Sequence, residues 1–139
     1  MIGVVLAAHG PLPDALLTSV GMIIGDLEQV ATVSLMPGDS LEGLVDRIRE
    51  EVKKVDTGSG VLICLDLFGG TPSNASALLT QENDKLYAVS GVNLPMLVEM
   101  LMARQTEEDV RELAKLATSA GQMGVVNIVE AFNQYRQQS

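Results

Sequence analysis

Apolar and polar positions along the chain fall into two alternating rhythms. Ile2 to Ala8 is a short, nearly uninterrupted apolar run, β-branched at Ile2, Val4 and Val5 and broken off by Gly10-Pro11-Leu12-Pro13, which marks a buried strand. From Asp14 to Gly25 the apolar residues Leu16, Leu17, Val20, Ile23 and Ile24 recur at helical spacing, with Gly25 as a C-terminal stop. Gln29 to Leu35 predicts a second strand, ended by Pro37-Gly38. Ser40 caps the next helix, whose stripe of Leu41, Leu44, Val45, Ile48 and Val52 runs on to Val55 with charges on the opposite face. Val61 to Leu67 is the most apolar strand, interrupted only by Asp66, and Gly69-Gly70-Thr71-Pro72-Ser73-Asn74 leads from it into a helix over Ala75 to Thr80. Leu86 to Ser90 reads as a fourth strand, and Gly91-Val92-Asn93-Leu94-Pro95 turns into a helix through Met96, Leu97, Met100 and Leu101. Thr106, with Asp109 three residues on, reads as a capping box for a last helix that presents Val110, Leu113, Leu116 and Ala117 and closes at Gly121. Val125 to Val129 is expected to be a short strand outside any βα unit, able to pair elsewhere.

Strands alternating with helices predict an α/β fold, an open, mainly parallel sheet with helices on both faces. The chain has 139 residues, 47% of them hydrophobic, which suits one domain over residues 1–139 and excludes a multidomain enzyme. Aromatics make up only 3% with no Trp, so the core must come from Leu, Val, Ile, Ala and Met. Lys plus Arg number 9 against 18 Asp plus Glu, and a net charge of -9 leaves no basic surface for nucleic acid. The single cysteine, Cys64, lies inside an apolar run and offers neither an internal disulfide nor a Cys-based metal site, which predicts a reducing, cytoplasmic home. No basic leader precedes the first strand, and no apolar stretch approaches the roughly 18 residues that span a bilayer. Neither a metal nor a cofactor is predicted.

Ligand sites in open α/β sheets gather at the carboxyl ends of the strands, where the strand order reverses. His9, the only histidine, follows the first strand, and Asp66 comes at the end of the third. If those strands are neighbours, the carboxylate fixes one imidazole nitrogen and leaves the other to attack an electrophile. Glycines, hydroxyls and a helix N-terminus at Gly69 to Asn74 suit a phosphoryl group as that electrophile. Each residue also has a plainer role: His9 as a satisfied loop residue, Asp66 as a turn cap, Gly-Gly-Thr-Pro as a βα turn, and Met96, Met100 and Met102 as packing. From the residues alone the result is an α/β domain with an anion crevice.

Several segments in order are familiar: Ala8-His9-Gly10, Pro37-Gly38-Asp39, Gly60-Val61-Leu62 leading to Asp66, Phe68-Gly69-Gly70-Thr71-Pro72-Ser73-Asn74, and Gly91-Val92-Asn93-Leu94-Pro95-Met96-Leu97. Through them the chain resembles, nearly end to end, the enzyme IIA component (EIIA) of the mannose family of the bacterial phosphoenolpyruvate-dependent sugar phosphotransferase system. The resemblance implies a cytoplasmic phosphotransferase in which His9 accepts a phosphoryl group on Nε2 from the phosphocarrier protein HPr and passes it to a histidine of a separate IIB component. That component serves the membrane IIC and IID components. Asp66 would hold the His9 ring, while Gly10, Gly69, Gly70 and Thr71 would cradle the phosphoryl oxygens without metal or cofactor. The resemblance also implies a homodimer in which a C-terminal strand, here Val125 to Val129, crosses to the partner. Two other functions suit the fold: the IIA-like phosphocarrier of dihydroxyacetone kinase, and a regulatory module in which His9 never turns over. The Gly-Gly-Thr-Pro-Ser-Asn and Gly91 to Met96 segments favour the first reading. The sugar is not encoded here, because the membrane components select it.

Overall fold

Gly3 to Ala8 and Val61 to Leu65 are buried without a break, as expected of strands covered on both faces. In the computed structural model, which describes residues 1–138, these two strands lie side by side at the centre of the sheet. The chain runs β1 (Gly3–His9), α1 (Leu12–Ile24), β2 (Val30–Leu35), α2 (Leu41–Val55), β3 (Val61–Leu65), α3 (Gly70–Glu82), β4 (Leu86–Val89), α4 (Leu94–Ala103), α5 (Val110–Met123) and α6 (Ile128–Gln138). All pairings are parallel, in the order β2-β1-β3-β4. The order therefore reverses between β1 and β3. The register sets His9 against Leu35 and Ala7 against Leu65, so the carboxyl ends of β1, β2 and β3 finish nearly level.

The two-residue period of the strands divides the core. Val4, Leu6, Leu62 and Cys64 pack with Val20 of α1, Leu97 and Met100 of α4, and Leu113 and Ala117 of α5. Val5, Ala7, Ile63 and Leu65 pack on the other face with Leu44, Ile48 and Val52 of α2 and Ala75 and Leu79 of α3. Cys64 is a buried hydrophobe as expected, and burial pushes its thiol up to about 12.

At the amino end of the sheet, Arg104 closes α4 with only 2% of its surface exposed. Its guanidinium donates to the carbonyls of Ile2 (3.1 Å), Gln29 (3.2 Å) and Glu28. It thus ties α4 to the start of β1 and the approach to β2. Burial lowers its pKa, and the nearby Glu28 charge opposes that shift. Gln29 joins the same end together by donating to the Met1 and Val55 carbonyls at 3.0 and 2.9 Å.

Four expectations are corrected. The capping box at Thr106 does not form. Asp109 is itself the N-cap of α5, accepting from Arg111 N–H at 2.9 Å, while Thr106 turns back to the Ala103 carbonyl. Gly121 does not end that helix, which continues to Met123. Gly121 is instead a packing residue, since a Cβ there would sit 2.9 Å from Met96 Cε. Val125 to Val129 is not a strand. Asn127 accepts from Glu130 N–H at 3.2 Å and helps start α6, whose Ile128, Phe132 and Tyr135 recur at helical spacing. The β-branched run outweighed that longer period in the sequence reading. Helix α3 also begins at Gly70, earlier than Ala75, because Pro72, Ala75, Ser76 and Leu79 give its first turns a buried face.

Removing the Arg104 side chain leaves the Ile2, Glu28 and Gln29 carbonyls short of a donor. Arg104→Ala is expected to cost about 2–4 kcal/mol, read as a lower urea midpoint at unchanged slope.

Candidate functional site

His9 is the last residue of β1 and Asp66 directly follows β3. Because those strands pair, the two side chains meet. The Asp66 Oδ2 atom lies 2.8 Å from His9 Nδ1 and 3.0 Å from the His9 backbone nitrogen. An ionised carboxylate only accepts hydrogen bonds, so Nδ1 carries the proton of the neutral ring and Nε2 carries the lone pair. The other carboxylate oxygen, Oδ1, accepts from Leu67 N–H at 3.0 Å. Asp66 is therefore both a ring orienter and a turn cap, and the two readings of the sequence do not exclude each other.

The pair is unequally covered: the His9 side chain is 54% exposed and that of Asp66 12%. Partial burial pushes the Asp66 carboxyl up, but hydrogen bonds from the His9 N–H and from its ring outweigh it. The net pKa lies below the ordinary carboxylate value.

The neighbouring loops are fixed by backbone. Gly10, at φ +57, continues the sheet by donating to the Leu35 carbonyl at 2.9 Å. Val92 N–H donates to the Leu65 carbonyl at 2.9 Å, which ties the loop after β4 to the residue before Asp66. Asn93 secures that loop, accepting from Met96 N–H (2.9 Å) and donating to the Gly121 carbonyl (3.0 Å). The loop after β2 is clasped by Asp39, which accepts from Met36 N–H at 2.8 Å and pairs with Arg47 at 2.9 Å. The Met36 N–H, opposed by desolvation and helped by Arg47, lowers the Asp39 pKa. Gly69 and Gly70 follow Asp66 at φ +93 and +77, a conformation that side chains oppose, and Thr71 is half-buried in the first turn of α3. Gly69 gives α3 no side-chain cap, so the first N–H groups of that helix are not taken by a capping side chain.

The sequence reading missed Arg47, the paired roles of Asn93, and the backbone N–H groups of His9 and Leu67. Asn93 carried a visible signal, standing immediately before a Leu-Pro helix start. Arg47 carried none, since only the fold brings it to Asp39. Among the described residues, no group of three or more His, Cys, Asp or Glu side chains could hold a metal ion.

A family model described as the PTS system fructose IIA component matches residues 3–118. The chain belongs to this EIIA family. It is 36% identical over 124 residues to the mannose-specific EIIAB component of Escherichia coli K12, covering 89% of this chain and 38% of that relative. It therefore spans well under half the length of that protein. With the fructose-specific EIIA component of Bacillus subtilis it is 36% identical over 105 residues, 76% of this chain and 72% of the relative. The crystal structure of an EIIA component from Streptococcus agalactiae superposes with a TM-score of 0.85 at 31% identity, covering 94% and 99% of the two chains. A mannose/sorbose-specific IIA subunit from Enterococcus faecalis superposes at 0.81 and 32% identity, covering 91% and 93%. The parallel sheet with helices on both faces is thus the EIIA fold that the sequence predicted. No helix of the described residues is long and apolar enough to cross a membrane.

A depressed carboxyl stabilises the folded EIIA chain above the unfolded pKa, and that stabilisation is lost as pH falls through the folded value. The stability difference between wild type and Asp66→Asn is expected to be full near neutrality and to shrink below about pH 4, measured by urea unfolding across that range.

Proposed function

We propose that this chain is the IIA phosphocarrier of a sugar phosphotransferase system, taking a phosphoryl group from HPr on His9 and delivering it to a histidine of a IIB component. The observation that carries this reading is the contact of Asp66 Oδ2 with His9 Nδ1 at 2.8 Å on a half-exposed ring. With Nδ1–H held, Nε2 forms the new N–P bond while the N–P bond to the donor imidazole breaks, and the electron pair returns to the donor ring. The Asp66 carboxylate balances the positive charge that develops on the His9 ring. Delivery to IIB is the same step in reverse order, with no net loss of phosphoryl potential between similar nitrogens.

Gly10, Gly69, Gly70 and Thr71 serve as the phosphoryl cradle. The pattern of capping supports that assignment. Helices α2, α4 and α5 have side-chain caps in Ser40, Asn93 and Asp109, whereas α1 and α3, which start beside His9 and Asp66, have none. Uncapped helix starts beside a site favour an anion. The whole chain acts as one IIA unit in the cytoplasm and meets the membrane IIC and IID components through IIB. It works as a homodimer. Val125, Val126, Ile128, Val129, Phe132 and Tyr135 are all 57% exposed or more, and a second copy would cover this segment.

Incubation with phosphoenolpyruvate, enzyme I and HPr should add one phosphoryl mass to the wild type and none to His9→Ala, read by intact-mass spectrometry at neutral to alkaline pH. Absence of the adduct while HPr is itself phosphorylated would overturn the reading. Asp66→Ala should accept the group at least about 100-fold more slowly, by quench-flow. In sedimentation velocity the full chain should run as a dimer, and a chain ending at Gly124 as a monomer.

A further inference from the structure

Asp66 can hold the His9 ring only if its own main chain is held, and the strand ladders stop short of it. The pairing of β3 with β1 ends at Leu65 beside Ala7, and that with β4 ends at Cys64 beside Val89. One further bond lies beyond: Val92 N–H donates to the Leu65 carbonyl at 2.9 Å. That carbonyl and the Asp66 nitrogen belong to one planar peptide unit, so the bond sets the plane from which the Asp66 side chain departs.

Val92 belongs to neither strand nor helix, and what fixes it is the next residue. Asn93 is half-buried, and its side-chain amide is used at both ends. Oδ1 accepts from Met96 N–H at 2.9 Å, and Nδ2 donates to the Gly121 carbonyl at 3.0 Å. An N–H can only donate and a carbonyl only accept, so these partners decide which end of the amide faces which. The first bond caps α4, a task that Ser40 performs for α2 by accepting from Gly43 N–H at 3.0 Å. The second has no part in capping α4. It ties the loop to the last turns of α5, where a Cβ on Gly121 would stand 2.9 Å from Met96 Cε and 3.7 Å from Asn93 Oδ1.

We propose that Asn93 is a positioning residue for phosphoryl transfer: by donating to Gly121 it holds the loop that holds the Leu65–Asp66 peptide, and so keeps the Asp66 carboxylate on His9 Nδ1. This inference rests on the phosphocarrier reading above. Three hydrogen bonds in series, Asn93 to Gly121, Val92 to Leu65 and His9 to Asp66, run from α5 to the reacting ring. Loss of the first frees the loop and lets the carboxylate leave Nδ1. The ring then also populates the tautomer with the proton on Nε2, which has no lone pair at the attacking nitrogen. A reacting group misplaced by about 1 Å loses about 100-fold in rate.

The test uses Asn93→Ser, which keeps an acceptor for Met96 N–H and lacks the donor to Gly121. Imidazole 15N chemical shifts at alkaline pH report the His9 tautomer, and quench-flow with phospho-HPr reports transfer. Wild type should carry its proton on Nδ1, and the variant should show a mixture of tautomers. Its kcat should fall about 10- to 100-fold with KM little changed. Asn93→Asp also caps and also lacks the donor, and supplies the same two readouts if Asn93→Ser fails to fold. Gln29→Ala, at the amino end of the sheet, should lower stability while leaving tautomer and kcat at their wild-type values. A folded Asn93 variant with either readout unmoved, or a Gln29 variant that moves both alike, would overturn the role. Failure of phospho-HPr to label wild-type His9 would instead overturn the phosphocarrier reading, and the tautomer, read without any phosphoryl group, would then decide the positioning.

Discussion

A single carboxylate oxygen, Asp66 Oδ2, receives both the backbone N–H and the ring Nδ1 of His9, at 3.0 and 2.8 Å. This double contact locks the imidazole against its own main chain. It requires that β1 and β3 be neighbours, that they be parallel, and that they end at the same level. The uninterrupted burial of Gly3 to Ala8 and Val61 to Leu65 meets the first two conditions, because such strands are stable only at the centre of a doubly covered sheet. The pairing of Ala7 with Leu65 meets the third. A slip of one residue would turn every side chain of β3 to the other face and carry Asp66 away from the ring. The hydrophobic core thus sets the chemistry by fixing a register.

The two ends of the sheet are built differently. At the amino end, Arg104 and Gln29 spend their donors on main-chain carbonyls of Met1, Ile2, Glu28, Gln29 and Val55, closing that end with buried hydrogen bonds. At the carboxyl end the backbone is pinned by Gly10 to Leu35 and Val92 to Leu65 and by the side chains of Asp66, Asp39 and Asn93. Helix starts near His9 are left without side-chain caps. The uncapped helix starts and the His9–Asp66 pair thus share the carboxyl end of the sheet, where ligand sites of open α/β sheets gather.

Much of this was legible in the sequence. Continuous apolar runs marked the central strands, and the position of His9 and Asp66 at two strand ends pointed to their contact, once adjacency was assumed. What was hidden depends on distance in the chain or on competing periods. Arg47 reaches Asp39 only because α2 turns back beside β2. Gly121 looked like a stop, yet its missing Cβ admits Met96 from another helix. Val125 to Val129 has strand-like residues, but Asn127 and the Ile128, Phe132, Tyr135 spacing decide for helix. Asp109 carried its cap in plain view, masked by a better-known motif starting at Thr106.

In the phosphocarrier function proposed above, a phosphoryl group on His9, half open to water, must survive between partners. The chain does not wrap it in a cavity. The 880 Å³ hollow is lined by Lys85, Arg104 and Arg111 towards the amino end, and the 690 Å³ apolar groove lies between α1, α4 and α5. His9 is in neither. A base positioned to activate water would speed hydrolysis of an N–P bond, and the nearest carboxylate already accepts three hydrogen bonds. Asp66 Oδ2 holds the His9 N–H and ring, and Oδ1 holds Leu67 N–H. The contacts that orient the His9 ring also lower the Asp66 pKa, which makes its carboxylate a weak base toward water. An open site then suits transfer between proteins, since an incoming histidine brings its own nucleophile and, by covering the crevice, the exclusion of water that the chain alone does not provide.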